Sequence, residues 1–117
     1  MSKVKNYPLP GAARVKTGKE FAEIRRRGRL FRTPHFLVYV HKNGTSQSRL
    51  GLTVSRKVGN AVKRNRVKRL LRECYRIHLQ KQMVGYDLSI IARSGAHLLS
   101  FAQVVPELQE RLGGKKV

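Results

Sequence analysis

The groups able to do acid–base, metal or nucleophilic chemistry are few in this chain and far apart. Its acids are Glu20, Glu23, Glu73, Asp87, Glu107 and Glu110, six in 117 residues. Glu20 and Glu23 stand three apart, but Glu20 completes a helix-capping pattern with Thr17, and Glu23 faces Arg26 and Arg27 at helical spacing. Six dispersed acids do not lay out the carboxylate cluster with which two-metal nucleases hold their ions. His35, His41, His78 and His97 are scattered: His35 and His41 share a strand face but stand too far apart to share a metal, and His78 falls on the apolar arc of a helix. Cys74 is the only cysteine, so there is no zinc-finger spacing and no internal disulfide. A GxxxxGK[ST] loop is also missing. The chain reads as a binder, not as the holder of a reaction centre.

What it binds follows from charge. Twenty-six Lys and Arg against six acids give a formal net charge of +20. Such an excess implies a polyanionic partner, nucleic acid ahead of an anionic membrane. The densest stretch, Arg56 to Arg76, holds nine Lys or Arg and one acid, Glu73. Asn60 can start a helix there, and no Pro or Gly interrupts it before Gly85, so the sequence predicts a helix from about Asn60 to Gln82. At about 100° per residue, Val67, Leu70, Leu71, Cys74, Ile77 and His78 fall in one arc, and Arg64, Asn65, Lys68, Arg69, Arg72 and Arg76 in the opposite one. A guanidinium can grip phosphate with two parallel hydrogen bonds, whereas Lys acts as a point charge. Asn65, between two Arg, can both donate to and accept from a base edge. A merely solvated face would carry acids to balance these cations, and here they are missing.

The elements that must position these groups can be read on either side of the basic helix. Met1 to Lys16, with Pro8, Pro10 and Gly11, reads as a basic, flexible arm, either a plain tail or a segment that orders on RNA. Thr17-Gly18-Lys19-Glu20 is a capping box opening a short helix through about Arg27, with Gly28 as its stop. His35 to Lys42 alternates as a strand: Phe36, Val38 and Val40 point one way, and His35, Leu37, Tyr39 and His41 the other. Arg49 to Ser55 is a second strand, with Leu50, Leu52 and Val54 on its apolar face and Gly51, Thr53 and Ser55 opposite. Asn43-Gly44 between them is a turn signal and predicts an antiparallel hairpin. Leu30 to Arg32 adds an edge strand, and Tyr86 to Arg93 a further strand after the basic helix. The strand–helix–strand unit predicts a parallel pair joined by a crossover, right-handed by the general rule. The last helix starts either at a Ser100–Gln103 capping box or at Pro106. One domain, 17–112, is expected, with 113–117 as a flexible tail. Tyr39 beside Thr53 and Ser55 makes a sheet face on which an unpaired base can stack. Phe21 is equally readable as a core residue or as a second stacking surface. No run approaches the ~20 apolar residues of a membrane span, and MSKVKNYPLPGAARVK lacks the apolar core of a signal peptide, so a cytoplasmic location is expected.

The segment Lys57 to Glu73, KVGNAVKRNRVKRLLRE, resembles the signature of the protein subunit of bacterial ribonuclease P: Gly59-Asn60-Ala61-Val62, then Arg64-Asn65-Arg66, then Lys68-Arg69. Gly51 to Ser55, Arg14-Val15-Lys16, Phe21, Gly28, Phe36 to Tyr39 and Ile90 to Arg93 fit the same family in the same order, so the resemblance covers roughly Arg14 to Leu112. It implies an α+β two-layer sandwich in α-β-β-β-α-β-α order, with a central sheet of about four strands. It also implies a left-handed βαβ crossover, which takes precedence over the general rule. The implied function is removal of the 5′ leader from precursor tRNA. The RNA subunit would perform the hydrolysis with Mg2+, while the protein binds the leader, supports RNA folding and metal affinity, and holds no cofactor or catalytic residue of its own. The implied partners are ribonuclease P RNA and precursor tRNA, met by a single copy of the protein. By resemblance, Lys57, Asn60, Lys63, Arg64, Asn65, Arg66, Lys68, Arg69 and Arg72 meet the RNA subunit. Arg14, Lys16, Phe21, Arg25, Tyr39, Thr53, Ser55 and Arg56 meet the leader. Some family members carry an aromatic where Arg25 stands, and an Arg there exchanges stacking for a phosphate contact. A ribosomal RNA-binding protein and a DNA-binding protein are the competing readings. The aromatic and small polar sheet face favours single-stranded RNA over duplex DNA.

Overall fold

The computed structural model describes residues 10–112. Helix α1 (Gly18–Arg27) begins at the predicted capping box: the Thr17 hydroxyl accepts from the Glu20 N–H at 3.1 Å, and Glu20 Oε1 accepts from the backbone N–H of Thr17 at 3.2 Å and of Lys16 at 2.8 Å. Strands β1 (Arg29–Arg32), β2 (Phe36–Lys42), β3 (Arg49–Thr53) and β4 (Tyr86–Ala92) form one sheet in the order β1-β2-β4-β3. Helix α2 (Ala61–Cys74) joins β3 to its parallel neighbour β4, and α3 (Phe101–Leu112) closes the chain.

The expected β2–β3 hairpin does not form; β4 lies between them, antiparallel to β2 and parallel to β3. Six of the seven β4 residues are buried, so this strand has the strongest claim to the centre of the sheet. Asn43 ends β2 without turning it back on β3. Its backbone N–H donates to Gly85 O, and its side chain donates to Gln47 O and Asp87 Oδ1. A local turn signal was thus outcompeted by a non-local pairing.

Alternation assigns the two faces. Phe31, Phe36, Val38, Val40, Leu50, Leu88 and Ile90 share a core with Val67, Leu71 and Cys74 of α2 and Val104 and Leu108 of α3. Across the opposite face α1 covers one end of the sheet, and its Ile24 is buried apart from that core. Burying a side chain of this size stabilises the docking of α1 by about 1.5–3 kcal/mol.

Other boundaries also differ from expectation. The basic helix is α-helical only to Cys74; Tyr75–Leu79 forms a π-helical turn in which the Gln80 N–H reaches Tyr75 O at 2.8 Å. The wider turn re-aims the chain, so Tyr75 and Leu79 are buried while Ile77, expected on the core arc, is 52% exposed. The buried Tyr75 hydroxyl donates to Ser48 Oγ at 2.7 Å, and burial pushes the Cys74 thiol up to about 12. Strand β3 ends at Thr53, and Ser55 instead belongs to the turn into α2, accepting from the Lys57 N–H at 3.3 Å. Residues 10–16, expected in the mobile arm, pack on the domain: Ala13 and Val15 are buried, Arg14 bridges to Leu50, and the Val15 N–H donates to Leu50 O. The rest of that arm and the tail 113–117 lie outside the described residues.

Of the two starts considered for the last helix, the one at Ser100 holds: its N–H donates to Gln103 Oε1 at 2.9 Å, and α3 runs through Pro106. Pro106 leaves the Ala102 carbonyl without a helical partner, but both residues face solvent, where water can serve it. Just past the proline, Glu107 accepts from the Thr33 hydroxyl at 2.6 Å and the His35 N–H at 2.8 Å, and meets His35 Nδ1 at 2.9 Å. His35 therefore serves the β1–β2 turn, and β2 starts one residue later than expected. Burial alone would raise the Glu107 carboxyl, but these hydrogen bonds outweigh it and hold the group below its ordinary value.

Candidate nucleic-acid interface

Two surfaces converge where α1, the β3 edge and α2 meet. Gly51 on β3 is the contact point for Phe21. A Cβ placed there would lie 2.5 Å from Phe21 Cε1 and 2.7 Å from Cζ, so only glycine lets the ring lie on the strand. Next to Gly51 across the sheet comes Ser89 of β4, then Tyr39 of β2, then Leu30 of β1. The Ser89 hydroxyl is buried and has no partner among the described residues. One step along the face, Arg25 Nη2 donates to Thr53 Oγ1 at 3.0 Å. Tyr39 and Phe21 are partly exposed, each offering an aromatic surface on a polar, open face.

Helix α1 is fixed over this face by charge. Arg49 makes two hydrogen bonds to Asp87, at 2.9 and 2.6 Å, and a third to Glu20 at 3.0 Å. Asp87 is almost fully buried and also accepts from Asn43 at 2.8 Å. The Glu20 carboxyl is held down at about 2, first by the Lys16 backbone N–H, then by Arg49 and the Thr17 N–H. The Arg49 guanidinium is pushed up, chiefly by Asp87. This network ties α1, and so Phe21 and Arg25, to the ends of β3 and β4.

Beside Phe21 opens a cleft of about 200 Å3, floored by Val15, Leu50, Gly51 and Leu52 and walled by Arg14, Lys68 and Arg72. No carboxylate lines it. Burial holds Arg72 below its ordinary value, and the charges of Arg69 and Arg14 act in the same direction. Like charges crowded around an apolar floor favour an anion with a flat or aliphatic body, and a nucleotide has both parts.

The predicted site residues thus divide differently from the two expected groups. Arg14 and Phe21, expected to touch the leader, share one cleft with Lys68 and Arg72, expected to touch the RNA subunit. Arg25 and Thr53 are bonded to each other. Tyr39 and Thr53 lie on one face, two strands apart. Lys16 is exposed and gives its backbone N–H to Glu20. Ser55, Arg56 and Lys57 are exposed in the turn entering α2. Asn60 caps that helix, accepting from the Lys63 N–H at 3.0 Å. Within Arg64-Asn65-Arg66 the three side chains leave α2 in three directions, as 100° steps require. Arg64 shares the cleft-side flank with Lys68 and Arg72, Asn65 faces solvent beside Arg69, and Arg66 turns the other way. Its guanidinium donates to His97 O at 3.3 Å and Leu99 O at 2.8 Å. Sequence reasoning missed the Ala96–Leu98 3-10 turn that Arg66 holds; the only signal for it was Gly95. Among the described residues no group of three His, Cys, Asp or Glu is placed to hold a metal ion, and no helix is long and apolar enough to cross a membrane.

A cationic helix beside an open sheet face with aromatic side chains defines a small αβ nucleic-acid-binding protein. The comparisons with known proteins narrow that class. The family model described as Ribonuclease P matches residues 9–115. The ribonuclease P protein component of Desulfovibrio desulfuricans is 43% identical over 109 residues, covering 90% of this chain and 84% of that protein. The solved Staphylococcus aureus RNase P protein superposes with a TM-score of 0.77 at 34% identity, covering 86% of this chain and 92% of that one. The Thermotoga maritima protein superposes at 0.74 and 32% identity, covering 83% and 92%. This chain belongs to the ribonuclease P protein component family.

Proposed function

We propose that this protein is the RNA-binding component of a ribonuclease P ribonucleoprotein that removes the 5′ leader from precursor tRNA. The RNA subunit performs the hydrolysis with its own Mg2+ ions. The protein contributes binding: α2 docks on the RNA subunit, and the face formed by Phe21, Arg25, Tyr39 and Thr53 takes the single-stranded leader. The observation that carries this reading is the acid-free cleft in which Arg14, Lys68 and Arg72 surround Phe21 and Gly51. It supplies phosphate neutralisation and a stacking surface together, which is what unpaired RNA requires. Because the cleft joins both groups of residues, leader and RNA subunit approach each other at its mouth, and the cations there offset the repulsion between the two phosphate backbones. The protein acts on the reaction by holding substrate against the RNA subunit and by neutralising the phosphates that crowd there, which lowers the Mg2+ concentration needed to bring the two RNAs together.

Reconstitution tests the reading. The protein with a bacterial ribonuclease P RNA should cleave precursor tRNA at Mg2+ concentrations where the RNA alone is poor, and should bind precursor more tightly than mature tRNA. A protein that changes neither the rate nor the preference for leader-bearing substrate would sink the proposal.

A further inference from the structure

Arg66 belongs to the densest cationic motif of the chain, yet two of its guanidinium nitrogens are used inside the protein, on the carbonyls of His97 and Leu99. What these bonds secure is the turn after β4. There Gly95 takes a left-handed conformation at φ 91°, and the N–H groups of Ala96, Leu98 and Leu99 are each tied to a backbone carbonyl three residues back. Ala96 and Leu99 are buried, at 1% and 8% exposure, while Leu98 between them is 75% exposed. On α2, one turn before Arg66 and on the same flank, Val62 is 77% exposed. Single exposed aliphatic residues are ordinary on protein surfaces. Here the two most exposed large apolar side chains among the described residues flank one buttressing arginine. Leu98 stands on a turn locked from both sides, so little conformational freedom is lost when a partner covers it.

We propose that Val62 and Leu98 form an apolar step, positioned by Arg66, that takes an unstacked nucleotide of the RNA subunit. The inference rests on the reading of α2 as the RNA-subunit surface. Charge selects RNA as the occupant. Exposed Lys63 follows Val62 in the first turn of α2, and exposed Arg69 stands two turns further along the same side of the helix, whereas an apolar partner protein would need acids to meet them. Phosphates on either side of a splayed nucleotide meet the cations, while its base or ribose covers the aliphatic pair. Leu and similar side chains are used in this way as wedges against base steps.

The test is binding of an in vitro transcribed bacterial ribonuclease P RNA across a series of salt concentrations, with Val62→Ser, Leu98→Ser, the double variant and Arg64→Ala. Both apolar residues are exposed, so the variants should melt like the parent. The double variant should bind about tenfold more weakly at every salt concentration, with an unchanged slope of log K against log salt, because an apolar contact releases no counterions. Arg64→Ala should flatten the slope. Unchanged affinity in the double variant beside a flattened Arg64→Ala slope overturns the apolar step and leaves the docking surface standing. No effect from any variant overturns the docking surface as well. A lower slope in the double variant, or self-association of the parent that the double variant abolishes, also overturns the step, placing its effect in charge or in a protein contact.

Discussion

Gly51→Ala tests whether the seating of Phe21 on β3 builds the leader face. The added methyl carbon would sit 2.5 Å from Phe21 Cε1, 2.7 Å from Cζ and 3.1 Å from Val15 Cβ. Carbon–carbon contacts settle at roughly 3.5–4.0 Å, so the ring must withdraw by about 1–1.5 Å. Val15 is buried and has little room to yield, whereas Phe21 is partly exposed and can swing outward. The expected loss is about 1–3 kcal/mol of stability, the usual cost of overpacking. Because the ring leaves its position in the cleft, precursor tRNA affinity should also fall by about 1 kcal/mol, part of the ~1–3 kcal/mol of a full base stack. The assay is a double-mutant cycle with Phe21→Leu, read by urea unfolding and by binding of precursor and mature tRNA. In the Phe21→Leu background the added methyl meets a more adaptable side chain, so the Gly51→Ala penalty should shrink by ~1 kcal/mol in both measurements. Additive effects in the cycle would refute the reasoning, as would a Gly51→Ala protein with unaltered stability and leader preference.

The remaining predictions concern the network over the cleft and the face itself. Arg49→Ala leaves Asp87 almost fully buried with only Asn43 as a side-chain partner, and should cost roughly 3–5 kcal/mol, the range for breaking a buried pair from one side, measured by urea denaturation. Glu20 is held at about 2 in the folded chain against an ordinary 4.5. The unfolded chain therefore binds more protons in this window, and stability present above about pH 4.5 should fall as pH drops toward 2. The carboxylate is partly exposed, so solvent screening reduces the effect to about 1 kcal/mol, and Glu20→Gln should remove that part of the acid limb of a thermal-melt series. Tyr39→Ala should weaken precursor tRNA by about 1–3 kcal/mol and mature tRNA much less; equal losses would make Tyr39 a structural residue.

Local signals in the sequence were reliable where the physics is local. The Thr17–Glu20 capping box, the Asn60 cap, the alternation of β2 and the Ser100 start of α3 all depend on a few neighbouring residues, and each is formed as read. What the sequence could not disclose depended on partners distant along the chain. Asn43-Gly44 has the composition of a hairpin turn, yet β4, more than forty residues later, takes the place beside β2. The periodicity of the basic helix assumed 100° steps to its end; the π-helical turn breaks that count and exchanges Ile77 for Tyr75 in the core. At the site, alternation put Tyr39 and Thr53 on one face, and Phe21 on the first helix was readable as core or as a second stacking surface, but neither reading could show that Phe21 and Arg72 line the same cleft. That contact depends on how α1 is tied down by Glu20, Arg49 and Asp87, three residues from three elements. Arg66 has the sequence appearance of a phosphate ligand, and only its distance to two carbonyls reveals a buttress.

The insertion of β4 between β2 and β3 also bears on how the chain comes to be folded on the ribosome. The strand at the middle of the sheet is the last one synthesised. Until Tyr86–Ala92 has emerged, β1 and β2 can pair only with each other, and β3 has no neighbouring strand beyond the short bridge at Arg14. The basic helix precedes β4 in synthesis, so a nascent chain displays its cations before it has a sheet to pack them on. Joining β2 to β4 closes contacts of high sequence separation, a step that sets slow folding rates. The proposed leader face, assembled from α1, β2, β3 and β4, is therefore completed late, in a chain whose charge can already hold it close to RNA.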